Sequence, residues 1–328
     1  MKKIIILGLM VTTFVGIGLI AISSPIVDTP PTFLYSFGTR GMGDGQFYSP
    51  WAIRGDKAGN MYVTDRINEN VQKFTAAGTF INKFGSGGWG AGQFNSAVGI
   101  TVNGINEIFV MDLNNCRVQK FNPGFGYMLE WGDLEHCNTT LPGQFNQGYD
   151  VAVGDDGSVY VADSNNSRIQ KFTTNGVFIS QWVSSGGPRG IFVNGDDVWV
   201  SEAVADRIQK FTTDGTPVLQ FGSLGFGDGQ FDQPRGLATD KFGNLYVVDS
   251  DNHRIQKFTS NGVFLTKWGA YGTAHGQFNM PTQIAIHPIS GNVYVVDSKN
   301  NRVEVFSPPT SSVPVQTTTW GRIKDLIK

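Results

Sequence analysis

Six near-copies of one unit, spaced 39 to 51 residues apart and dense in short β-branched strands, predict an all-β chain: a six-bladed β-propeller of four-stranded antiparallel blades. The plainest copies are Arg117-Val118-Gln119-Lys120-Phe121, Arg168-Ile169-Gln170-Lys171-Phe172, Arg207-Ile208-Gln209-Lys210-Phe211 and Arg254-Ile255-Gln256-Lys257-Phe258. Weaker copies run over Asn70–Phe74 and Arg302–Phe306. Their closing phenylalanines, Phe74, Phe121, Phe172, Phe211, Phe258 and Phe306, mark the period. The 42 glycines are the second observation, because a fold made of hairpins needs many backbone positions at positive φ.

The fifth unit shows the strand order most clearly. Strand a is expected at 236–239, followed by the turn Asp240-Lys241-Phe242-Gly243-Asn244. Strand b, Leu245-Tyr246-Val247-Val248, has the β-branched and aromatic content of a buried strand. A polar loop at 249–253 leads into strand c at 254–259, and Ser260-Asn261-Gly262 turns the chain into strand d at 263–269. A Gly-rich connector ending Gly276-Gln277-Phe278 carries it to the next unit. The sixth unit has no strand d, because Phe306 runs into Ser307-Pro308-Pro309. The N-terminal segment Phe33-Leu34-Tyr35-Ser36-Phe37-Gly38 reads as the missing strand, so the chain's ends are expected to pair and leave no free sheet edge at the seam. Residues 315–321, which end in Trp320-Gly321, are the competing candidate.

The unit resembles the NHL repeat. The likeness rests on Gly-Gln-Phe connectors at Gly45, Gly92, Gly143, Gly229 and Gly276, on Val-Asp endings of strand b, and on the Arg-Ile-Gln-Lys-Phe strand c. It covers roughly residues 33–306, and a six-bladed propeller is what it implies. The fourth unit departs most, lacking Gly-Gln-Phe and carrying Glu202 where the others have Asp; the first has Asn70 in place of Arg. Some proteins of this family are ubiquitin ligases through a RING domain. No Cys-Xaa-Xaa-Cys pair occurs here, so that activity is not carried over.

Four segments follow: 1–24 as membrane anchor or signal peptide, 25–32 as linker, 33–306 as propeller and 307–328 as a Pro/Ser/Thr-rich tail. Lys2 and Lys3 precede an uncharged run at 4–22, close to the roughly 20 residues that span a hydrocarbon core. The same run, with Ala21-Ile22-Ser23 behind it, also suits a cleaved signal. Either reading puts the propeller outside the cytoplasm. A net charge of −2 and only 16% charged residues disfavour a nucleic-acid partner, which would need a basic face. The strand c lysines are expected to pack their stems between blades and keep their heads in water. Cys116 and Cys137 fall in loops expected on one face of one unit. A disulfide fits an oxidising compartment, and two unrelated small apolar residues are the alternative.

The pairs Asp112/Arg117, Asp163/Arg168, Glu202/Arg207, Asp249/Arg254 and Asp297/Arg302 invite a functional reading, but they recur at one offset in successive units. They are expected to be structural clamps across each b–c hairpin. Function is expected where the units disagree, at the start of strand a around the mouth of the axial channel. There stand Trp51, Val98, Tyr149, Asp150, Arg189, Arg235, Thr282 and Gln283. Guanidinium forks suit carboxylate or phosphate, and the aromatics give flat contact area. The expected function is therefore a non-catalytic, extracytoplasmic module binding a protein, peptide or glycan, with no cofactor. A metal-dependent lyase or lactonase is the alternative from the enzyme class. Against it, His136 and His275 fall in connectors, His253 in a b–c loop and His287 at the far end of strand a. A nucleic-acid-binding NHL module is the further alternative.

Overall fold

The computed structural model describes residues 28–132 and 137–308. They form six four-stranded antiparallel sheets, five of them meanders in chain order. In blade five, strand a is Pro234–Thr239, b Leu245–Asp249, c Arg254–Phe258 and d Phe264–Trp268. Strands a of neighbouring blades pack side by side around the axis, and the ring closes where Pro281–Ile286 of blade six meets Pro50–Gly55 of blade one. The run at 4–22 and the segment at 315–321 lie outside the described residues. Among the described residues no helix is long and apolar enough to cross a membrane.

The sixth blade takes its strand d from the N-terminus. Phe33–Phe37 pairs antiparallel with Arg302–Phe306, with Phe37 opposite Val303 and Phe33 opposite Phe306. Within the stretch read as a linker, Asp28 is buried, and its carboxylate lies 2.5 Å from Lys257 Nζ of blade five.

Two aromatic contacts explain why the repeat keeps its phenylalanines. The connector Phe packs on the strand c Phe of the blade it enters, with centroids 5.5 Å apart for Phe47–Phe74, 5.8 Å for Phe94–Phe121 and 5.7 Å for Phe231–Phe258. The strand d aromatic of the preceding blade meets the same ring, as in Phe84–Phe121 at 4.7 Å and Phe221–Phe258 at 4.9 Å. Phe37 does this to Phe74 at 4.9 Å, so the N-terminal strand seals the seam as any strand d would. The strand c glutamine is tied to the same connector. Gln119 Oε1 accepts the Gly92 N–H at 2.8 Å, while its amide donates to the Gln93 carbonyl at 2.6 Å. Blade four lacks the motif, and Gln209 turns instead to Gln220.

The Asp–Arg pairs hold more than their own hairpins. Arg117 Nε donates to Asp112 at 2.9 Å, and its two remaining nitrogens donate to the connector carbonyls of Trp89, Gly90 and Gln93 at 2.8–2.9 Å. Arg168, Arg254 and Arg302 repeat the pattern, with Nε 2.7, 2.7 and 2.9 Å from Asp163, Asp249 and Asp297. Arg207 pairs with Glu202 at 2.5 Å and reaches only Ser185 besides. The strand c lysines depart from expectation, since their heads are not free in water. Lys120 and Lys257 are 3% and 1% exposed. Their ammonium groups meet Glu107 at 2.9 Å and Asp240 at 3.3 Å, above the rings of Phe109 and Tyr246. Carboxylates from the a–b turns stand where water was expected. Cys116 and Cys137 are joined as a disulfide, with Cα atoms 5.4 Å apart.

Blade one shows what the missing arginine costs. Asn70 turns its amide to the Asn68 carbonyl, leaving Asp65 with the N–H groups of Tyr48, Ile67 and Asn68 and the Asn68 amide. Burial pushes the Asp65 carboxyl from its ordinary 3.8 up to about 6. As pH rises through that window the unfolded chain releases its proton first, so this group's contribution to stability falls. The Asp65→Asn variant, which has no charge to bury, is expected to gain on the parent by roughly 3 kcal/mol between about pH 4 and pH 7. Urea midpoints across that range measure it; a pH-independent difference would show that Asp65 ionises normally.

Candidate functional site

Every strand a opens with the same irregularity. The residue before it is held at positive φ: 69° at Ser49, 72° at Ser96, 53° at Gln147, 68° at Gly187, 52° at Gln233 and 54° at Met280. A shift in register follows within the first few residues in all six blades. Such bulges re-aim side chains at the rim of a sheet. Hydroxyls from neighbouring blades then fix the rim backbone: Thr282 donates to the Trp51 carbonyl at 2.6 Å and Ser201 to the Arg235 carbonyl at 2.5 Å.

The second and third residues of these strands meet at the axis. Trp51, Tyr149, Asp150, Arg189, Arg235, Thr282 and Gln283 surround one cavity of about 10 Å³, the room of a single water. Val98 does not reach it and is wholly buried in the core between blades. The third position is Gly in blades two, four and five for a steric reason. A Cβ on Gly236 would stand 2.1 Å from Gln283 Oε1 and 2.5 Å from its Cα, which no side chain tolerates.

That closeness lets blades three and six touch across the channel. Gln283 Nε2 donates to Asp150 Oδ2 at 3.0 Å, and the same carboxylate accepts the N–H groups of Ile191 at 3.2 Å and Val151 at 2.9 Å. Arg54 of blade one, which nothing in the sequence reading singled out, completes the brace. Its guanidinium is buried and donates to the Ile284 carbonyl at 3.1 Å and, across the ring, to that of Ile191 at 3.4 Å. Burial raises Asp150 to about 6 against the pull of the Arg54 charge, and burial likewise lowers Arg54 against the pull of Asp150. Asp150 and Gln283 are thus engaged with the scaffold rather than offered to a ligand. Beyond the brace the channel widens to about 220 Å³ toward the opposite face, with Arg54 and Phe192 in its wall.

The two remaining arginines face the other way. Arg189 lies over the Tyr149 ring at 4.8 Å and Arg235 over Trp51 at 5.1 Å, with Arg66 on the same indole at 5.0 Å. Arg189 Nε and Arg235 Nε and Nη1 are buried without a protein acceptor. Burial first, and then the charge of Arg189, hold the Arg235 guanidinium down at about 10. No carboxylate forms an ion pair with either among the described residues.

The histidines are engaged elsewhere. His287 lies 3.0 Å from the Gly59 carbonyl, His253 accepts the Met280 N–H at 3.1 Å, and His275 stacks on Phe33 at 4.3 Å. His136 lies outside the described residues. Among those described, no three His, Cys, Asp or Glu side chains are placed to share a metal ion.

Comparison with known proteins agrees with the repeat and the ring. The NHL repeat model matches residues 150–172, 231–258 and 278–306, running from strand a or its connector through strand c of blades three, five and six. Among solved structures, a streptogramin B lyase superposes with a TM-score of 0.61 at 13% identity, covering 84% of this chain and 98% of the lyase. An auxiliary nutrient binding protein from Bacteroides ovatus gives 0.65 at 14%, covering 86% and 78%. Virginiamycin B lyase from Staphylococcus aureus gives 0.55 at 14%, covering 78% and 79%. At such identities the likeness is one of fold. The chain thus carries segments matching the NHL repeat in three of its blades and folds as a six-bladed β-propeller whose ring is closed by the N-terminal strand.

Proposed function

We propose that the protein is a non-catalytic binding propeller working outside the cytoplasm, and that it takes a protein, peptide or glycan partner on the face where strands a begin. The observation that carries this reading is the rim itself. Two guanidiniums with N–H groups that no protein atom accepts stand beside Trp51 and Tyr149, at a register where the blades carry unlike residues. The strand c arginines, by contrast, are consumed by the repeat, as Arg117 and Arg254 are. The basic start and apolar run at 2–22 and the Cys116–Cys137 bridge support an exported protein. A nutrient-binding role for a neighbour of the same fold suits the reading as well.

Peptide and glycan arrays probed with the purified protein test it. Trp51→Ala and Tyr149→Ala are expected to weaken the strongest hits by tenfold or more, Tyr149 through loss of an aromatic anchor and Trp51 through loss of the ring that holds Arg235. Trp89→Ala, on an exposed connector, is expected to leave them unchanged. The reverse pattern would move the ligand to the outer loops and overturn the reading.

A further inference from the structure

We infer that Arg189 and Arg235 together bind one oxyanion, a carboxylate or a sulfate or phosphate ester, as the anchoring group of the partner. The inference rests on the proposed use of this face and names the chemistry that the face recognises.

Three features of the rim point to an anion. The first is that the two guanidiniums come from adjacent blades at the same register, the second residue of strands Pro188–Asn194 and Pro234–Thr239. Each side chain is braced on an aromatic ring, so the pair is held in place before any ligand arrives. The second is unmet donor capacity. Arg189 Nε, Arg235 Nε and Arg235 Nη1 have no protein acceptor, whereas Arg117 and Arg254 at the blade periphery donate from all three nitrogens. Buried donors of this kind are normally satisfied, and a bidentate oxyanion is the acceptor that fits a guanidinium fork.

The third feature is charge. Asp150, the carboxylate on the axis, is already held by Gln283, Ile191 and Val151, with the charge of Arg54 acting on it, and the pull of Asp251 on Arg235 is smaller than the push of Arg189. Asp150 is therefore spent on the inner brace, and the two outer cations repel one another across the cavity. An arriving anion relieves that repulsion as well as filling the donors. The cavity admits a single atom the size of a water oxygen, so one oxygen of the anion enters between the arginines and the rest of the ligand stays outside the mouth. The half-buried Tyr149 then flanks the body of the ligand, whichever class carries the acid, while Trp51, packed in the core, holds Arg235 and Arg66 on its ring.

The test is calorimetric titration of the full-length protein with sodium sulfate and, separately, sodium acetate at constant ionic strength made up with chloride. One saturable site is expected for at least one of the two. Sulfate alone indicates an ester-bearing ligand and acetate alone a carboxylate. Arg189→Gln and Arg235→Gln are each expected to weaken that site at least tenfold. In chloride both variants are expected to melt no lower than the parent, since each removes one of two facing charges; an arginine with a purely structural role would lower the midpoint. Failure of both anions to bind the parent, or binding indifferent to both substitutions, overturns the inference. Array hits that still depend on Trp51 and Tyr149 in that case would leave the binding-face reading standing without the anion.

Discussion

A chain cut after Gly38 is expected to melt far below one that begins at Val27. The shorter chain lacks the strand paired with Arg302–Phe306, and it bares a strand whose residues Val303 to Phe306 are all buried in the intact ring. It also loses Phe37 from the Phe74 ring, Phe33 from Phe306, and the Tyr35 hydroxyl contacts with Tyr294 and the Ala76 carbonyl. Burial of one aromatic or large aliphatic side chain contributes about 1.5–3 kcal/mol, and hydrogen bonds add about 1 kcal/mol each. The expected loss is therefore on the order of 5 kcal/mol or more, comparable with the whole stability of many domains. The exposed edge is also a template for pairing with other chains, so aggregation should accompany the lower midpoint. Calorimetric melting of the two truncations side by side measures the effect. Equal midpoints would mean that another segment, such as residues 315–321, fills the position of strand d.

The ring was readable because its information is periodic. Phe258 has a counterpart in each blade and Gln256 in all but the sixth, where Glu304 takes its place, for a reason internal to the blade and its connector, so repeated residues describe repeated contacts, with blade four, which lacks the connector motif, the exception. The rim was readable for the opposite reason: Trp51, Tyr149, Arg189 and Arg235 break the pattern at a shared register. What the sequence did not reveal is how those residues divide their roles. Asp150 and Gln283 are 133 positions apart and meet only because closure places blades three and six opposite each other. Arg54 sits deeper in its strand, where other blades place Thr101, Ala152 or Ala238, and nothing local tells a brace from a wall. The lysine heads were misjudged because the carboxylates that meet them come from turns of variable composition. One of them, Asp28, lies 229 residues away from Lys257 and before the first strand.

Replacement of Arg117 by Ala is expected to be the most damaging single change outside the aromatic core. The side chain is 1% exposed, the Asp112 carboxylate is fully buried, and three connector carbonyls depend on the same guanidinium. Removing one partner of a buried pair leaves an uncompensated charge and costs about 3–5 kcal/mol, and the orphaned carbonyls add to it. Burial already raises the Asp112 carboxyl above its ordinary value despite the arginine, so the variant should escape part of the penalty by taking up a proton. Its deficit is therefore expected to shrink as pH falls, and Asp112→Asn placed in the same background should recover some stability. Arg117→Lys is expected to rescue little, because a single ammonium cannot reach Asp112 and three carbonyls together as the fork does. Arg254→Ala should behave alike in blade five, where Arg254 holds Asp249 and the Phe226, Gly227 and Gln230 carbonyls. Arg207→Ala should cost much less, since Arg207 holds no connector carbonyl and lies partly in solvent. Urea unfolding of the five variants orders them, and an Arg207→Ala protein as damaged as Arg117→Ala would show that the acid pair, rather than the grip on the connector, is what each blade needs.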